Sequence, residues 1–478
     1  MIPHLRPETA RRALLALPLL AMAFAVAAFG GVYAWAFGLA YTFIFASLAA
    51  FALAAWRADT RLHWCPIYGP LLAFALFAAW QCGSGSSQVP ASTASAALHL
   101  AAAGAVFVLF TQLYRGDRDA GWIAAAINGF TAALALLAIL QVLTGADGIY
   151  WRFTYLYASP AGSFVNRNHF AGCMELLLPV SCVAAFQHRH RPLSRFLAWA
   201  TAPALGIAAV LLSASRGGMA ALAVEAVSGL IIWLFLERLR RRIAVEQTGD
   251  PEAPPSTRPV DMAAVASASP RYLSAPSPQR RAALLAAIGL AAAMVWIVGT
   301  SRLQARLHRG SGLTVEPSLA QRAFLNQSTW DMFIQRPWSG WGLGTWANLY
   351  PEFARFDDNA VYTFAHNDIL QGLAETGLIG VLCALAFWTF WLRGFYQTLR
   401  RWPPAHIHLG GGAPPAFSLA VGSAIACAGL IVHSWVDFNL HIPANLLLFF
   451  AISALALPAS ASLAPDRTAA SVTAGRPR

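Results

Sequence analysis

The chain has 478 residues, of which 58% are hydrophobic and only 11% charged. That leaves too little charge to cover a water-soluble surface of this size and excludes a large soluble enzyme domain. The net charge of +12 comes from arginine alone, because no lysine occurs among the 33 basic residues. These arginines sit in short connections between apolar runs, a placement that argues for membrane topology rather than nucleic-acid binding.

Apolar runs long enough to cross a bilayer recur along nearly the whole chain, since a span needs about 20 residues at 1.5 Å each. Arg6, Arg11 and Arg12 precede the first run. No cleavage site followed by a soluble domain appears, so this run reads as a membrane helix rather than a signal peptide. In chain order the pattern predicts twelve spans, at 13–29, 32–55, 66–81, 94–113, 120–145, 168–187, 196–213, 217–236, 282–300, 367–392, 416–436 and 442–458. The expected fold is an all-α polytopic membrane protein with about 12 transmembrane helices and a long periplasmic loop carrying short helices. With a cytoplasmic amino terminus, most arginines, including Arg57, Arg115, Arg118, Arg238–Arg242 and Arg393, fall inside. Nine fall outside, which is the asymmetry the positive-inside rule requires.

The expected organisation is therefore spans 1–8 over residues 1–243, a disordered cytoplasmic linker over 244–281, and a ninth span at 282–300. A periplasmic loop at 301–366 follows, then spans 10–12 over 367–458 and a disordered cytoplasmic tail at 459–478. The linker is rich in Pro, Ser and Ala and has no periodicity. The six cysteines lie in or beside spans without metal-ligand spacing and read as packing residues.

Five outer segments carry polar residues that topology alone does not explain. GSFVNRNHFAG places Asn166, Arg167, Asn168 and His169 where the sixth span begins. An Asn-rich start caps a helix, yet four hydrogen-bonding side chains exceed what capping needs. LLSASRGGMAALAV puts Arg216 in a very tight turn between two spans. A guanidinium there suits a phosphate, because it is permanently charged and bonds two oxygens at once; a snorkelling interfacial arginine is the plainer alternative. In the long loop, Leu319, Phe324, Trp330 and Phe333 recur at helical spacing, with Ser318 as a cap and Arg322 on the polar face. RPWSGWGLGTW then ends that helix.

FAHNDILQGLAETGLIG opens as a loop and finishes as a span. Asn367, Gln371 and Glu375 follow i, i+4, i+8 spacing and give one helix face a polar stripe that lipid cannot satisfy. His366 stands at the water boundary, where an imidazole can take a proton from a hydroxyl or simply cap the helix. Glu375 lies roughly 13 Å deeper and on another side of the helix, and reads as packing support for the stripe. Finally, HSWVDFNLHIPAN carries His433, Asp437, Asn439 and His441; Asp437 is placed to orient His433 if the helix runs that far.

Taken in order, the S-x-S-R-G-G turn, the R-P-W-S-G-W-G-L-G-T-W loop, the H-N-D-I-L-Q-G-L-A-E-T-G segment and the H-S-W-V-D-F-N-L-H segment resemble the O-antigen ligase and polymerase superfamily of bacterial membrane glycosyltransferases. The resemblance spans roughly residues 150–450. It implies transfer of a glycan from a polyprenyl-pyrophosphate lipid to a sugar hydroxyl at the periplasmic face of the inner membrane, without cofactor or metal. It also implies that Arg216 and Arg322 bind the pyrophosphate and that His366 is the catalytic base. One base and no paired nucleophilic carboxylate suggest direct displacement with inversion. Asn166, Arg167, Asn168, His169, Asn367, His433 and Asp437 are then expected glycan or acceptor contacts. The acceptor stays open among lipid A–core, a growing polysaccharide and a protein hydroxyl. A lipid-linked sugar flippase is the alternative from another class.

Overall fold

The computed structural model describes residues 7–59, 62–154, 160–189, 191–248, 317, 319–356, 360–401 and 414–458. The helices are α1 (Pro7–Ala27), α2 (Ala34–Arg57), α3 (Tyr68–Gly83), α4 (Pro90–Leu113), α5 (Asp117–Leu143), α6 (Arg167–Gln187) and α7 (Leu193–Ser213). They continue with α8 (Arg216–Thr248), α9 (Leu319–Gln335), α10 (Trp346–Phe353), α11 (Asp368–Arg401), α12 (Pro415–His433) and α13 (Pro443–Leu455). A two-residue strand pair, β1 (Gly148–Ile149) and β2 (Phe153–Thr154), forms a small antiparallel hairpin between α5 and α6.

Among the described residues nine helices are long and apolar enough to cross a membrane: α1, α2, α4 to α8, α11 and α12. The chain is an all-α polytopic membrane protein. Two further expected spans correspond to shorter helices, α3 with 16 residues and α13 with 13. The expected span at 282–300 and the tail at 459–478 lie outside the described residues, as does Ser318. Helix α8 continues through Thr248, past the expected start of the linker, and the rest of that linker also lies outside.

Helices α6 and α12 are the most enclosed spans, while α8 lies at the periphery. In a bilayer there is no hydrophobic drive between spans, so close packing and internal hydrogen bonds must hold them. At one end of the bundle, buried Asp119 of α5 receives both terminal nitrogens of Arg11 from α1, at 2.8 and 2.9 Å. Asp117 at the same end accepts the backbone N–H of Ala416, tying α5 to α12 at 2.8 Å. At the other end, Ser163 donates to Val26 O at 2.6 Å, and Gln88 N–H to Trp341 O at 3.1 Å. Asp368 N–H reaches Ser434 O at 2.8 Å. The connections that the arginine pattern assigns to one side thus meet one another, and all five polar segments converge at that end.

One long helix departs from the sequence expectation. A single span is predicted over 367–392, but α11 breaks at Gly377, where φ is 60° and ψ is −161°. The backbone groups freed there are met by the tryptophan–glycine loop that follows α9. Leu378 N–H donates to Pro337 O at 2.8 Å, Trp341 N–H to Ala374 O at 3.1 Å and Gly342 N–H to Glu375 O at 2.9 Å. Such re-pairing is what an interrupted helix at membrane depth requires. Glycine is needed on both sides of the contact: a Cβ on Gly377 would fall 2.4 Å from Trp338 O, and one on Gly340 2.3 Å from Glu375 C.

Candidate functional site

Glu375 sits beside this break, and its carboxylate has a definite task. It accepts N–H groups from Gly344 at 2.7 Å and Trp346 at 3.2 Å, together with the Gln371 amide at 3.0 Å. It therefore grips the glycine loop as well as supporting the polar stripe. Gln371 is the hinge of the network: its Oε1 accepts Ala365 N–H at 2.9 Å, and its amide nitrogen also meets His441 Nε2 at 3.1 Å. His441 in turn bonds Asp368 through Nδ1 at 2.6 Å. Burial would lower the His441 pKa, but Asp368 and Glu375 outweigh it and leave it raised.

These bonds fix the backbone two residues before α11. His366 holds a left-handed φ of 52°, a conformation that costs a non-glycine residue about 1 kcal/mol or more and persists only when its surroundings impose it. Ala365 is held by Gln371 on one side. On the other, Asp368 N–H is held by the carbonyls of Ser434 and Asp437, at 2.8 and 3.2 Å. The His366 ring packs edge-on against Phe438 at 4.8 Å between centroids, and its Nδ1 lies 3.4 Å from Asp437 Oδ1.

Asp437 is the centre of the cluster. It is 1% exposed, and three side chains face it: His366, His169 with Nε2 at 3.9 Å, and Arg322 with Nη2 at 3.9 Å. Arg322 also donates to the carbonyl of Val436. Burial by itself would raise the Asp437 carboxyl, but the His366 contact and the charges of His169, His366 and His433 together hold it well below the ordinary range. An ionised Asp437 favours the His366 tautomer with a proton on Nδ1, leaving Nε2 as the basic atom.

The spacing-based pairing of Asp437 with His433 does not form. Helix α12 ends at His433, so four residues on the chain has already turned and Asp437 points to His366 instead. His433 pairs with Glu175 of α6, its Nδ1 lying 2.8 and 3.1 Å from the two carboxylate oxygens. Its side chain is 1% exposed, enclosed between α6 and α12.

Arg216 opens α8 immediately after a turn in which Ala214 adopts φ 52°. Ser215 Oγ accepts Gly218 N–H at 3.1 Å and caps the helix. The Arg216 side chain is exposed, and among the described residues no carboxylate pairs with it. Gly217 packs close to the His433 ring, where a Cβ would fall 2.4 Å from Nε2, so the Arg216 turn lies beside the α12 end that leads into Asp437.

The remaining expected contacts divide. Asn166 caps α6, accepting Asn168 N–H at 2.8 Å, and Asn367 caps α11, accepting Leu370 N–H at 3.0 Å. Asn168 is buried; Arg167 is half-buried at the start of α6. His169 packs on Phe438 at 4.5 Å. Among the described residues no group of three or more His, Cys, Asp or Glu side chains is arranged to hold a metal ion. The residue that sequence reasoning missed is Glu175: its only signal was a carboxylate inside a span, which is unstable without a partner.

A polytopic helix bundle with one broken helix thus holds a histidine, an aspartate and an arginine in a polar cluster at one end, with the Arg216 turn beside it. Residues 201–385 match the family model described as O-Antigen ligase. Over that stretch the chain is similar to O-antigen ligases, in line with the resemblance that the sequence motifs carry. The matched stretch contains Arg216, Arg322 and His366. A search of curated proteins gave no match.

Proposed function

We propose that the protein transfers a glycan from a polyprenyl-pyrophosphate lipid to a hydroxyl of a sugar acceptor, at the periplasmic face of the inner membrane. The observation that carries this reading is the junction of an Asp437-oriented His366 with Arg322 and the Arg216 turn at one end of the bundle. His366 Nε2 takes the proton of the acceptor hydroxyl as its oxygen attacks the anomeric carbon. The bond to the pyrophosphate breaks from the opposite face, and the configuration inverts. Negative charge gathers on the departing pyrophosphate, where Arg216 and Arg322 stabilise it; one such preorganised contact is worth about 3 kcal/mol. Arg167 at the start of α6, with Asn168 and His169 behind it, is our candidate contact for glycan or acceptor.

The confinement of these groups to one end favours an enzyme over a flippase, which needs polar groups along a transmembrane path. Lipid A–core is our first acceptor, with a growing polysaccharide or a protein hydroxyl as the alternatives. The test is purified protein in proteoliposomes with a polyprenyl-pyrophosphate glycan and each acceptor in turn. Glycan transfer coupled to polyprenyl-pyrophosphate release supports the reading and names the acceptor. Movement of intact donor across the bilayer without transfer overturns it.

A further inference from the structure

The reaction outlined above leaves the Glu175–His433 pair unused. Both side chains are enclosed, at 0% and 1% exposure, in the seam between α6 and α12. A carboxylate this deep is stable only beside a compensating positive charge or a proton. With Nδ1 held on Glu175, the imidazole is the group placed to carry that charge. Its other nitrogen, Nε2, has no hydrogen-bond partner among the described residues. That nitrogen is aimed at the start of α8: a side-chain carbon on Gly217 would fall 2.4 Å from it.

The start of α8 is built to receive an anion. The first N–H groups of a helix have no partner within it and carry partial positive charge. Here Ser215 takes up Gly218 N–H, leaving those of Arg216 and Gly217 directed away from the helix. Gly217 adds no side chain of its own, and any it carried would collide with His433.

We propose that His433, charged through Glu175, is a positioning residue of the donor-phosphate site, setting a fixed positive charge behind the first turn of α8. The pyrophosphate is then held by the Arg216 guanidinium and the α8 amides in front, with the imidazolium behind them. This rests on the reading of the donor as a pyrophosphate lipid. It assigns Glu175 and His433 to donor binding and leaves proton transfer to His366.

The test uses the full-length protein in nanodiscs, a short-chain polyprenyl pyrophosphate as the binding probe, and steady-state transfer. His433→Gln should weaken probe binding and raise the donor KM about tenfold, as expected for loss of one charge-reinforced contact. Its kcat and acceptor KM should stay near wild type. Glu175→Gln keeps an acceptor for Nδ1 but removes the charge, and should give the same loss; a ring that merely packs would not respond to it. This near-isosteric variant carries the test alone if His433→Gln does not fold. Wild-type affinity in Glu175→Gln overturns the proposal. So does wild-type affinity in both variants while Arg216→Ala loses the probe, and that result leaves the pyrophosphate reading standing. Failure of the wild-type protein itself to bind the probe overturns that reading too.

Discussion

Asp437 Oδ1 lies 3.4 Å from Nδ1 of His366, although 71 positions separate the two residues in the chain. The contact exists because α12 stops at His433 and the next turn folds back over the start of α11. It gives the candidate base an orienting anion that also faces Arg322.

If Asp437 orients the base, Asp437→Asn should lower kcat by about 10² or more, within the range for loss of positioned general-base catalysis. Donor binding should be much less affected. Steady-state transfer together with probe binding separates the two, and a fall confined to donor affinity would place Asp437 in binding rather than in base orientation.

The same carboxylate makes a prediction about pH. Its folded pKa is depressed, mainly by its histidine neighbours acting against burial. Such a group adds stability at pH above its unfolded value, near 3.9. That stability is lost as pH falls through the lower folded value. The stability advantage of wild type over Asp437→Asn that comes from this group should hold between pH 7 and 5 and shrink only below about pH 4. Denaturation of both proteins across that range checks it.

Glu375 should matter for loop order rather than for chemistry. Glu375→Ala leaves the N–H groups of Gly344 and Trp346 without their carboxylate, at a cost of about 1–3 kcal/mol per buried group. Hydrogen exchange should rise in residues 337–346, and transfer should fall with it. Unchanged exchange in that loop would contradict the clamp.

The opposite end of the bundle offers a control. Arg11→Ala removes the main ion-pair partner of buried Asp119, leaving Arg12 at 3.7 Å and the N–H groups of Arg115 and Trp122, and should cost about 1–3 kcal/mol. Because that end lies away from His366, transfer by the folded fraction should keep its donor KM. Thermal unfolding and kinetics on the same preparation test both halves.

Much of this architecture was legible in the sequence, because a bilayer demands long apolar runs and biased arginines. The turn at Arg216 and the helix after residue 318 were legible for the same kind of local reason. The break at Gly377 was not: T-G-L-I-G continues an apolar pattern, and the bonds that stabilise the break come from a loop 33 to 41 residues earlier. Partner choice was also hidden. Spacing pairs Asp437 with His433, whereas the real partner of His433 is Glu175, 258 positions away. Two asparagines expected as ligand contacts also cap helices through their Oδ1 atoms, which their positions at helix starts already allowed.

The account turns most directly on His366. Transfer from polyprenyl-pyrophosphate glycan should be measured for wild type and His366→Gln in proteoliposomes, with probe binding measured on the same samples. The predicted result is a loss of kcat of about 10² to 10⁴, with pyrophosphate-lipid binding retained. Near-normal turnover by His366→Gln would contradict it.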